Sequence, residues 1–201
     1  LVQVSPLPRI QNSNPPWNAM ARALSAAGAA LASASPDSIV VYSTQWIAVL
    51  DQLWQTKNRV AGRHVDENWH EFGALEYDIL VDADLANACI EASSSINVKS
   101  RAVNYDAFPI DTGTIIANSF LNEPRKPVVV TSNNVYHDLS VTETIGELVA
   151  KSAREQSKKV AVVGVGGLSG AFFRQEIKPE EDKIFSEADD SANREMLDLI
   201  C

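Results

Sequence analysis

The stretch RHVDENWHEF, residues 63–72, gathers the groups best suited to hold a transition metal or move a proton: His64, Asp66, Glu67, His70 and Glu71. Imidazole and carboxylate are the usual ligands of a divalent transition ion. The two histidines are six residues apart, so they do not share a helix face and do not form the H-E-x-x-H zinc motif. In a loop they could still converge; a solvated or interface loop is the simpler reading. Trp46, Trp54 and Trp69 lie in the same region. Aromatic rings supply contact area with few rotors, so these three mark a candidate interface. His137, in SNNVYHD, follows a strand end and could serve as a general base. A lone loop histidine is more simply structural.

The second candidate is GVGGLSG, residues 164–170. It follows an apolar run, as a dinucleotide-binding turn does, but Ser169 stands where G-x-G-x-x-G needs its last glycine. It misses the nucleophile elbow G-x-S-x-G as well, because Ala171 replaces the final glycine. No histidine is placed to activate Ser169. A tight turn leaving a sheet explains the glycines without any ligand.

The elements that must position these groups alternate in type. LVQVS (Leu1–Ser5) reads as a strand, and NSNPPW as a helix start with prolines in the first turn. The alanine-rich segment that follows reads as helix up to Pro36. SIVVYS is a buried strand, apolar without alternation, as expected when helices cover both sheet faces. WIAVLDQLW extends the sheet or forms an arm. Residues 82–96 read as a helix with an acidic start, VKSRAV as a short strand, and DAFPIDTGT as a loop. KPVVVTSNN and KKVAVVGV read as further buried strands. Between them Ser140–Ser157 is amphipathic, with Ser140 and Glu143 forming an S-x-x-E capping box. A last helix begins near Ser191. Strands alternating with helices predict an α/β fold, a mostly parallel central sheet flanked by helices, in one domain over residues 1–201. Leu1 and Cys201 both look like cut ends.

Composition narrows the function classes. The formal net charge is −9, and the 17 Lys and Arg form no dense run. That argues against nucleic acid, whose binders need a basic stripe. No run of about 18 apolar residues offers a membrane span. Two distant cysteines fit a reduced, cytoplasmic protein.

In an open α/β sheet, ligands bind at the carboxyl ends of strands. Here those ends read Ser5-Pro6, Thr44-Gln45, Ser132-Asn133 and Gly170. They supply hydroxyls, amides, a proline and a glycine, but no imidazole and no carboxylate.

In order along the chain, these ends resemble the class III extradiol ring-cleavage dioxygenases, the family of protocatechuate 4,5-dioxygenase catalytic subunits. VSPLP resembles that family's S-H-x-P loop. VVYSTQW resembles its strand ending S/T-x-H-W, and DTGTI with VGVGGLSG resembles its D-H/Y-G-T and S-G-G-L-S-H segments. In active members two of these histidines and a later glutamate hold one Fe(II), and the last histidine is the acid–base group. Carried over by the resemblance, the first ligand falls on Pro6, the second on Gln45 and the acid–base residue on Gly170. The residue after the conserved-type aspartate becomes Thr112, and the carboxylate ligand falls close to or beyond Cys201.

The resemblance extends to the two-subunit 2-aminophenol 1,6-dioxygenases, through NPPW and GALEYDILVDADLANACIEA. It implies a non-catalytic alpha-type subunit with no cofactor of its own. A homologous catalytic beta subunit would hold Fe(II) and the aromatic substrate, in an alpha2-beta2 assembly. Two other classes stay open. One is an independent enzyme with a rearranged site built from His64, His70 or His137 with Glu67 or Glu71. The other is a module that binds an aromatic compound without reacting.

Overall fold

A computed structural model of the chain describes residues 15–66, 70, 73–105, 110–168 and 186–200. Helix α1 (Pro15–Ala34) opens on two prolines and stops where Ser35 takes a left-handed conformation. Strand β1 (Ser38–Ala48) follows, then β2 (Gln52–Gln55) and the pair β3 (Arg59–His64) and β4 (Leu75–Leu80). Next come α2 (Ala83–Ser93), a 3-10 turn (Ser94–Ile96), β5 (Ser100–Val103) and α3 (Thr112–Leu121). The rest is β6 (Val128–Asn134), α4 (Leu139–Glu155), β7 (Val160–Val165) and α5 (Glu187–Ile200).

The central sheet has five strands in the order β5-β2-β6-β1-β7. β1 runs parallel to β6 and β7, and β2 parallel to β5; only the β2–β6 contact, Trp54 opposite Thr131, is antiparallel. This is the mostly parallel α/β sheet the strand–helix alternation predicts. β3 and β4 form a separate antiparallel pair.

Why the strands are apolar without alternation is visible in the two halves of the core. Ile39 and Val41 of β1 and Val128 and Val130 of β6 pack toward Leu24 of α1 and Ile115, Ile116 and Leu121 of α3. Val40 and Val129, pointing the other way, pack with Leu85 and Cys89 of α2 and Ile145, Leu148 and Val149 of α4. Successive side chains of a strand serve opposite faces, so both must be apolar when both faces are covered.

β7 departs from its expected burial. It lies at the sheet edge, and Val162 is 70% exposed. Its composition is that of a buried strand, but only one neighbouring strand pairs with it among the described residues. The cap of α4 also differs. Asp138, not Ser140, is the N-cap, its carboxylate accepting from Val141 N at 2.9 Å. A charged acceptor two residues earlier displaces the Ser140–Glu143 box. Helix α5 starts one turn before Ser191, where Ser186 Oγ accepts from Asp189 N at 3.1 Å. The expected strand Leu1–Ser5 lies outside the described residues. Among the described residues no helix is long and apolar enough to cross a membrane.

The element that matters most for the site is the end of β1. Its register against β6 runs Tyr42 opposite Thr131, then Ile47 opposite Asn133. Five residues advance on β1 for two on β6, so residues 43–46 bulge from that ladder. A bulge re-aims side chains that would otherwise alternate across the sheet.

Candidate functional site

The bulge brings the end of β1 against the start of α3. Asp111, buried, is the N-cap of α3, its Oδ1 accepting from Thr114 N at 2.8 Å and from Ser43 Oγ at 2.7 Å. Its Oδ2 accepts from Thr114 Oγ1 at 2.6 Å. Ser43 Oγ in turn accepts from Gln45 N at 3.2 Å. DTGT, read from sequence as part of a loop, is therefore a helix start. The Asp–x–x–Thr spacing before an apolar run carried that signal.

Gln45 completes the junction. Its side-chain oxygen accepts from Gly113 N at 2.9 Å. Gly113 sits in the first turn of α3, where backbone N–H groups have no intrahelical partner. The amide at the strand end is thus a second cap on α3, reaching across from the sheet.

Thr112 is buried beside it, and its hydroxyl donates to Asp66 Oδ2. His64 Nε2 lies 2.8 Å from the same hydroxyl oxygen. A hydroxyl has one proton, so with Asp66 taking it, Nε2–H is the donor toward Thr112. In a nucleophile triad the imidazole stands between hydroxyl and carboxylate and takes the hydroxyl proton. Here the hydroxyl stands between the other two. The arrangement ties the end of β3 to α3 and leaves no base acting on Thr112 through His64. Sequence spacing did not link His64 to Thr112, 48 residues away.

Of the remaining histidine candidates, His137 and His70 lie among the described residues. His137 follows β6, its N–H donating to Asn134 O at 3.1 Å, and its Nδ1 is buried with no hydrogen-bond partner among the described residues. His70 sits near the turn closed by Gly73 N and His70 O at 2.9 Å. Among the described residues no three His, Cys, Asp or Glu side chains gather into a group that could hold a metal ion. Pro6, Gly170, Glu67, Glu71 and Trp69 lie outside the described residues.

Trp46 and Trp54 are not the surface that their composition suggested. Trp46 is buried in the core half under α1 and α3. Trp54 is fully buried in the other half, its Nε1 donating to Ser100 Oγ at 3.2 Å. Both lie on strands of the central sheet, so their rings serve packing and are closed to a partner.

Beyond the site, Asp78 takes Arg59 Nε at 2.7 Å and Arg125 Nη2 at 2.7 Å, fastening the β3–β4 pair to the turn after α3. The hydrogen bonds from Arg59 and then Arg125 hold its carboxyl well below the usual carboxylate range. Burial pushes the Cys89 thiol up to about 11.

Residues 5–200 match the family model described as the catalytic LigB subunit of aromatic ring-opening dioxygenase. The chain is similar to the 2-aminophenol 1,6-dioxygenase alpha subunit of Pseudomonas sp., 46% identical over 100% of this chain and 74% of that one. It is similar to the beta subunit of the same enzyme at 27% identity, over 83% of this chain and 57% of that one. The chain thus spans only part of the length of either relative. Among solved structures, an uncharacterized protein of Escherichia coli K12 shares the fold, with a TM-score of 0.54 at 16% identity over 74% of this chain and 53% of that one.

Proposed function

Because the chain belongs to the LigB family of aromatic ring-opening dioxygenases, we propose that it is the non-catalytic, alpha-type subunit of a heteromeric enzyme of that family. Its partner is a homologous chain that carries the iron ligands. Similarity to both an alpha and a beta subunit of 2-aminophenol 1,6-dioxygenase supports this reading. The substrate class is a 2-aminophenol or a substituted relative, opened at the partner's site.

The observation that carries the reading is the bond from Gly113 N to Gln45 Oε1. Gln45 stands where the resemblance puts the second iron ligand. An amide oxygen is a neutral, weaker donor to Fe(II) than imidazole. This one already accepts from the first turn of α3, and drawing it away toward a metal would strip a cap from that helix. Pro6, at the first ligand position, has no side-chain donor atom. Gly170, at the acid–base position, has no side chain to carry a proton. Thr112 has its hydroxyl committed to Asp66 and His64. These residues do not fit a two-histidine, one-carboxylate ferrous centre, and no reaction step is assigned to them.

The test is turnover. The chain alone, given Fe(II) under nitrogen, then 2-aminophenol and O₂, is expected to give no ring-opened product. Added to the Pseudomonas beta subunit, it is expected to raise that subunit's rate or its yield of active, dissolved enzyme. Turnover by the chain alone would overturn the proposal, and so would a beta subunit indifferent to its presence.

A further inference from the structure

The same end of the sheet carries an apolar surface. β1 ends at Ala48, whose carbonyl accepts from Val135 N at 3.1 Å, so residues 47–50 run beside residues 135–139. These two segments present Leu50 at 86%, Tyr136 at 77% and Leu139 at 75% exposure. Ile47, Val49 and Val135 are each more than half exposed. Six large apolar side chains on two adjacent segments differ from the scattered single residues that any surface shows.

Their size and setting say what kind of contact they suit. The exposed apolar area is on the order of 700 Å², against roughly 800 Å² that each partner buries in a standard stable interface. The flanking acids are engaged within the chain. Asp51 pairs with Arg101 at 2.8 Å, and Asp138 caps α4. A partner seated here therefore meets little uncommitted charge. Backbone order at the patch is maintained by Asn134, whose Oδ1 accepts from Tyr136 N at 3.0 Å. A surface held in place loses less conformational entropy on binding.

We infer that residues 47–50 and 135–139 form the docking surface for the homologous iron-bearing subunit. This rests on the reading of the chain as an alpha-type subunit. A second copy of this chain is the poorer occupant, since each copy carries a formal net charge of −9 and like charges repel. Trp46 then has an indirect part: it anchors in the core the strand whose exposed end makes the contact.

The test measures affinity for the Pseudomonas beta subunit by calorimetry or sedimentation, for the wild type, for Leu50→Asp with Tyr136→Asp, and for Val162→Asp. Val162 is an equally apolar, 70% exposed residue on β7 and adds the same kind of charge elsewhere. All the substituted positions are exposed, and circular dichroism melts check that the variants remain folded. The wild type and Val162→Asp are expected to bind alike, and the double variant at least about tenfold more weakly, as for loss of central apolar anchors. Equal binding by the folded double variant would overturn the surface while leaving the subunit reading intact. Failure of the wild type to bind would overturn both. A wild-type homodimer that the double variant abolishes would give the surface to a second copy instead and refute the inference.

Discussion

Replacing Asp111 tests how the end of β1 is fastened to α3. The carboxylate accepts from Thr114 N, Thr114 Oγ1 and Ser43 Oγ, and it is buried with both partners. Asp111→Ala removes an N-cap, worth about 1 kcal/mol. It also leaves two buried hydroxyls to find new acceptors, at about 1–3 kcal/mol for each that fails. A loss of about 2–4 kcal/mol follows if one stays unpaired, and about 3–7 kcal/mol if both do. At roughly 2–4 °C per kcal/mol for a domain of this size, the melting point drops by about 4–16 °C in the first case and further in the second. Asp111→Asn keeps one oxygen, which can still accept from Thr114 N and Ser43 Oγ, but its amide nitrogen cannot accept from Thr114 Oγ1. It is expected to cost less, about 1–2 kcal/mol. Urea unfolding followed by circular dichroism reads both variants. An alanine variant within about 1 kcal/mol of wild type, or an asparagine variant as damaged as the alanine one, would refute this account of the junction.

Gly28 of α1 lies against α3, where an added Cβ would run into the Phe120 carbonyl oxygen. Gly28→Ala is therefore expected to destabilise by about 1–3 kcal/mol in a thermal melt, although alanine is the better helix former by about 1 kcal/mol. Cys89, fully buried and with its thiol pushed up to about 11 by desolvation, is expected to resist a thiol reagent at pH 8 in the folded chain and to react on unfolding. Asp78 has a depressed carboxyl pKa, so its contribution is present above the ordinary carboxylate range and lost as pH falls through the folded value. The stability gap between wild type and Asp78→Asn should accordingly be widest near neutral pH and close on strong acidification. A gap that grows in acid would reverse the sign and refute the assignment.

Elements whose local chemistry and burial agree were legible in the sequence. The run IVV of β1 and the run VVV of β6 announced strands covered on both faces, and each residue is buried as read. Asp82 announced the start of α2, and it caps Leu85 N at 3.1 Å. What was missed depended on three-dimensional neighbours. VAVV of β7 has the composition of an interior strand, yet the sheet stops there and Val162 faces outward. Trp46 and Trp54 read as an interface because composition does not reveal which rings a sheet will bury. At the site, the residue types Pro6, Gln45, Thr112 and Gly170 were readable directly. The uses the fold finds for Gln45 and Thr112 were not. Gln45 reaches an amide 68 residues away, and Thr112 meets His64, at the end of β3, and Asp66 just beyond it, contacts no spacing rule foretells.

On the reading proposed above, the end of β1 holds a helix rather than an iron ion. The most direct test is the iron content of the purified chain after anaerobic incubation with excess Fe(II) and desalting, compared for wild type and Gln45→Ala. Both are expected to retain only traces, with Gln45→Ala slightly less stable for want of its bond to Gly113. Stoichiometric iron on the wild type, lost on Gln45→Ala, would mean that the amide serves a metal and would contradict the account.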